Sequence, residues 1–103
     1  MPFVQISTNV KSDDVDLSSA LQTFAEAFGE GVNRPLSAVM VHLELDRNYL
    51  LSESTEPCAF TYVRSSTGVN TERNPRTIEL LTEAAQKALK VLPTRALVRC
   101  RRS

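Results

Sequence analysis

The chain has no tryptophan, two cysteines, one histidine and three glycines in 103 residues, and these shortages remove whole classes of explanation. Cys58 and Cys100 form no Cys-x-x-Cys pair, and His42 is the only imidazole available to them. That excludes a metal-ligand cluster and a disulfide framework, and a reducing compartment fits best. Cys58 lacks an activating base, so it reads as a packing thiol and not as a nucleophile. No apolar run approaches the ~20 residues that a membrane helix needs, and no charged-then-apolar leader ends in small residues. The expected location is cytoplasmic, with release that needs no signal peptide left open. Net charge is also missing: twelve Lys and Arg cancel twelve Asp and Glu, so no overall field draws nucleic acid or an anionic membrane. The one local bias, Arg95, Arg99, Arg101 and Arg102, reads as a short solvated basic tail.

What is present is a single domain's worth of patterned sequence, residues 1–103, small enough that association can cover apolar surface a monomer leaves exposed. Phe3 to Thr8 alternates as a strand. The cluster Lys11-Ser12-Asp13-Asp14 offers helix N-caps, Leu17, Leu21, Phe24 and Phe28 fall on one helical stripe, and Gly29 and Gly31 are expected to end that helix. Ala38 to Leu45 alternates again, with Met40, His42 and Glu44 on the less apolar side. Asp46 to Glu56 is a polar connection with at most a short strand around Tyr49 to Leu51.

The second half repeats the plan. Cys58 to Ser65 is a strand, and Asn74-Pro75 supplies an N-cap and a first-turn proline. Ile78, Leu81, Ala85, Ala88 and Leu92 share a helical face, Pro93 ends the helix, and Ala96 to Cys100 is the last strand. Two strand-helix-strand units, residues 2–46 and 57–101, with right-handed crossovers, give a mixed α/β (α+β) fold: a four-stranded sheet with both helices on one face. The other face carries Met40 and His42 and is expected to be covered by further copies in a closed ring. A lone histidine there reads as a packing or interface residue.

Pro2 poses the sharpest question. Proline is tolerated as the first residue of a strand because it removes a ladder donor at no interior position. If Met1 is trimmed, however, the ring nitrogen becomes a free secondary amine, and an amine can be a base.

The segments MPFVQISTNV, NRPLSAVMVHL, SESTEPCAF and LPTRALVRC, in that order, resemble the macrophage migration inhibitory factor and D-dopachrome tautomerase family, most closely its D-dopachrome tautomerase and plant-type branch. The resemblance implies a homotrimer of two βαβ units per subunit, with a site at each subunit boundary and Pro2 as catalytic base. Arg34, before Pro35, stands where the family usually has lysine, which keeps a positive charge for a substrate carboxylate. Ser65-Ser66-Thr67-Gly68 is similar to the family's substrate-binding Ser-Ile-Gly stretch, with threonine in place of isoleucine. Leu97 and Arg99 match the aliphatic residue and arginine of the D-dopachrome branch. Thr61 replaces a second cysteine, so a redox activity of that pair is not implied. Glu53 takes a position often held by glycine, and Ser103 ends the sequence short of the family's extra C-terminal strand.

The implied activity is keto-enol tautomerisation of small carboxylated compounds, phenylpyruvate- or dopachrome-like, with D-dopachrome decarboxylation as a variant and no cofactor or metal. One group near neutral pKa must take a proton from carbon and return it. An α-amino group titrates near ~8, and burial or neighbouring cations lower it further. Arg34 and Arg99 can supply the cations and hold the carboxylate. The alternative is a cytokine-like binding protein of the same fold, with a protein receptor and a vestigial pocket.

Overall fold

The computed structural model describes residues 1–102. Its regular elements are β1 (Phe3–Thr8), α1 (Leu17–Val32), β2 (Met40–Glu44), β3 (Ala59–Ser65), α2 (Asn74–Leu89) and β4 (Ala96–Arg102). The strand order is β2-β1-β3-β4, with β1 parallel to β2 and antiparallel to β3, and β3 parallel to β4. The four-stranded mixed sheet expected from the sequence is present.

Strand alternation decides which face is covered. Val4, Ile6, Thr61 and Val63 are fully or nearly fully buried, and they share one apolar cluster or its surroundings with Phe24, Phe28, Leu81 and Ala85 from the helices. Both helices therefore lie on that side. Removing Phe24 and Phe28 from water contributes roughly 1.5–3 kcal/mol each to the folded state.

The helices differ from the sequence expectation in detail. Lys11 to Asp14 does not cap α1, since Ser12–Asp14 forms its own 3-10 turn and the Asp16 carboxylate accepts from the Ser19 N–H. Gly29 and Gly31 do not stop the helix, which runs to Val32 and ends on left-handed Asn33. Leu17 is 51% exposed, and the buried stripe passes through Ala20, Phe24 and Phe28. In α2 the buried face is Thr77, Leu80, Leu81, Ala84, Ala85 and Leu89, so Ile78 lies at its margin and Leu92 beyond its end. Asn74 is already helical. The Asn70 carboxamide accepts from the N–H groups of Glu72 and Arg73, and Asn74 accepts from the Asn70 N–H.

The link from β2 to β3 contains only one bridge, between Leu51 and Ser54. Arg95 holds it. Its guanidinium donates to the carbonyls of Pro57, Leu51, Ser54 and Glu56 at 2.8–3.2 Å. This corrects its assignment to a solvated tail: one planar fork satisfies four loop acceptors.

The second sheet face is open in the single chain. Register sorts it into three rows: Met40, Phe3, Arg64 and Arg101; then His42, Gln5, Tyr62 and Arg99; then Glu44, Ser7, Phe60 and Leu97. Met40 and Leu97 on this face are 51% and 48% exposed.

Candidate active site

Pro2 is buried at the entrance to central strand β1, and its carbonyl accepts from the Met40 N–H at 3.0 Å. Met1 is 78% exposed. With Met1 attached, the proline nitrogen is a tertiary amide and has no basicity; its removal frees the amine and takes no side chain from the core. Because Phe3 pairs with Arg64, the antiparallel register carries Pro2 to a place beside Ser65 at the same end of the sheet. Pro2 follows the parity of Val4 and Ile6, so it belongs to the covered face.

After Ser65 the chain turns sharply. The Ser65 hydroxyl donates to the Thr67 carbonyl and accepts from the Thr67 N–H, so it is spent on the turn. Ser66 is exposed. Gly68 has φ +77°, and a Cβ there would lie 2.4 Å from the Val32 carbonyl oxygen. Only glycine lets this loop rest on the end of α1.

The same helix end presents Arg34. Asn33 adopts the left-handed conformation, and the Arg34 N–H donates back to the Gly29 carbonyl at 2.9 Å. The exposed Arg34 side chain then reaches the loop, donating to Thr67 Oγ1 at 3.5 Å. A hollow of about 480 Å³ flanks it, lined by Glu26, Gly29, Glu30, Asn33, Pro35 and Leu36. That hollow does not take in Pro2. Thr67 and Gly68 were given no direct role from sequence beyond the Ser-Ser-Thr-Gly match, yet they tie the arginine to the turn.

Leu97 and Arg99 stand elsewhere. They face Phe60 and Tyr62 on the open side, on edge strand β4 with β3 between them and β1. Within one chain, then, Pro2, Arg34, Ser65 and Ser66 gather at one end of the sheet, while Leu97 and Arg99 do not join them. Cys58 is buried and free, and burial raises the Cys100 thiol above its usual range. His42 is exposed, its ring centroid 6.5 Å from that of Phe3. Among the described residues no cluster of three potential ligands for a metal occurs.

The family model for macrophage migration inhibitory factor matches residues 1–101. The chain belongs to this family. A macrophage migration inhibitory factor homologue from Trichinella spiralis is 34% identical over 74 residues, an alignment that takes in 72% of this chain and 64% of that protein. The solved structure of the macrophage migration inhibitory factor from Trichinella spiralis superposes with a TM-score of 0.87 at 26% identity, over 95% of this chain and 86% of the other. The homologue from Prochlorococcus marinus gives 0.85 at 22% identity, over 96% and 86% of the two chains, a likeness of fold alone. Membership in the macrophage migration inhibitory factor family agrees with the sheet order and the two-helix layer. No helix among the described residues is long and apolar enough to cross a membrane.

Proposed function

We propose that the chain is a cofactor-independent keto-enol tautomerase whose general base is the Pro2 nitrogen, freed by removal of Met1. The observation that carries this reading is the burial of Pro2 beside the Ser65 turn, with the exposed Arg34 side chain reaching Thr67 of that turn at 3.5 Å. Burial disfavours a charged ammonium, and a guanidinium nearby does the same, so the amine is poised to accept a proton at neutral pH.

The substrate is a small carboxylated keto or enol compound of the phenylpyruvate or dopachrome type. Its carboxylate meets Arg34, and the backbone around Ser65 and Ser66 orients it while Pro2 moves the proton from carbon. A homotrimer completes the site by bringing Leu97 and Arg99 of a neighbouring copy to this end of the sheet, which the open face of each chain leaves room for. The aliphatic residue and arginine at 97 and 99 favour the D-dopachrome branch, in which decarboxylation accompanies tautomerisation.

The test is phenylpyruvate tautomerisation by protein whose intact mass shows Met1 removed. Pro2→Gly lowers kcat by about 10²–10⁴-fold with the oligomer unchanged on sizing chromatography, and Arg34→Ala raises KM. Full turnover by Pro2→Gly overturns the reading. A second reading, a cytokine-like binding protein with an inactive pocket, draws on one observation: Arg34 is exposed and already bonded to Thr67. Retention of Met1 favours it.

A further inference from the structure

The turn that follows β3 carries a hydrogen-bond donor to which the proposed chemistry gives no task. Thr67 is exposed, yet its place is set from both sides. Its own N–H and carbonyl are both bonded to the Ser65 hydroxyl, and its neighbour Gly68 rests against the Val32 backbone. A β-branched side chain on so defined a backbone has few rotamers to choose from. Arg34 Nη1 lies 3.5 Å from Thr67 Oγ1, and in that contact the hydroxyl oxygen accepts. The hydroxyl proton is left to donate elsewhere.

Arg34 is likewise uncommitted. Of the two carboxylates that line the hollow beside it, Glu30 pairs with Arg76 and Glu26 accepts from Gln22. Among the described residues Arg34 itself takes part in no ion pair. A guanidinium and a hydroxyl donor thus stand side by side, on the turn that leaves Ser65 next to Pro2. The guanidinium suits a carboxylate. A hydroxyl next to it suits an acceptor oxygen on the neighbouring carbon, which is the arrangement of a 2-oxo carboxylate. Dopachrome-type carboxylates carry nitrogen and hydrogen on that carbon, and no oxygen. When the carbon beyond it loses its proton, negative charge grows on the 2-oxygen, so a donor aimed there strengthens as the reaction proceeds.

We propose that the Thr67 hydroxyl donates to the 2-oxo oxygen of the substrate while Arg34 holds its carboxylate. This inference rests on the tautomerase reading and narrows its substrate class: Thr67 turns the site towards the phenylpyruvate type, against the lean of Leu97 and Arg99.

The probes are phenylglyoxylate and phenylacetate, two carboxylates of equal length that differ only in the 2-oxo oxygen. Phenylglyoxylate has no enolisable hydrogen, so titration calorimetry reads its binding apart from turnover. Wild type freed of Met1 binds phenylglyoxylate at least about fivefold more tightly than phenylacetate. Thr67→Val, of equal shape and with its fold checked by thermal melting, loses that preference by weakening phenylglyoxylate alone. Thr67→Ser keeps it, and Arg34→Gln weakens both ligands. A smaller ratio in wild type, binding of neither ligand, or a ratio that survives Thr67→Val overturns the proposal. So does an equal loss for both ligands in Thr67→Val, which assigns Thr67 to holding Arg34 only. Full phenylpyruvate turnover by Pro2→Gly removes the tautomerase reading and leaves these affinities as measured, so the two failures are distinguishable.

Discussion

Gly31 and Thr77 meet where the two helices pack: a Cβ on Gly31 would lie 2.7 Å from the Thr77 hydroxyl oxygen. That oxygen is buried and, among the described residues, is the one buried side-chain polar atom without a hydrogen-bond partner. Replacing an unpaired buried hydroxyl by a methyl of the same shape removes a desolvation cost. Thr77→Val should therefore keep or raise stability, by up to about 1 kcal/mol. Gly31→Ala should lower it by about 1–3 kcal/mol through overpacking. Urea unfolding of the two variants checks both signs.

Gly68 supports the candidate site from beneath. Its φ of +77° and its contact with the Val32 backbone leave no room for a side chain. Gly68→Ala should cost at least about 1–3 kcal/mol of stability. It should also raise KM for phenylpyruvate, because the turn that meets Arg34 can no longer lie against α1. Unchanged melting temperature in this variant contradicts the packing described.

In the link, Ser52 and Glu53 have φ of 51° and 62°, the paired left-handed conformation of a tight turn closed by Leu51 and Ser54. Glutamate is poorly suited to that conformation. Glu53→Gly should stabilise the protein by about 0.5–1 kcal/mol, read as a rise in melting temperature.

Acid sensitivity follows from Glu44. The Gln5 carboxamide donates to its carboxylate at 2.6 Å and Arg47 adds a second bond, so its pKa lies below the ordinary carboxylate value. A carboxylate with a depressed folded-state pKa contributes stability above its unfolded pKa, and loses it as pH falls through the folded value. Gln5→Leu should therefore melt lower than wild type at neutral pH, with the gap closing in strong acid. A gap independent of pH assigns the loss to packing instead.

How much was legible varies with the range of the interaction involved. β1 was read to the residue, because alternation in FVQIST is local and the same residues are buried in turn. The helix ends were not. Gly29 and Gly31 look like stop signals until a second helix is known to lie against Gly31, a contact with Thr77 that no local pattern reveals. The buried face of α2 is turned from the expected stripe because small Thr77 and Ala84 are buried while Ile78 stays at the margin. The freed amine of Pro2 was legible as a base from the start of the sequence, whereas its catalytic role and the place of Arg34 entered through family resemblance. The pairing of Arg64 with Arg101 depends on strand register, which alternation does not specify across a crossover.

The link owes its shape to a side chain synthesised long after it. Arg95 lies 38–44 residues beyond the carbonyls it gathers, and two of them have a second donor, Ser54 in the Leu51 N–H and Glu56 in the Asn9 carboxamide. The middle of this polypeptide is therefore moored to both ends of the chain, to Asn9 before it and to Arg95 after it.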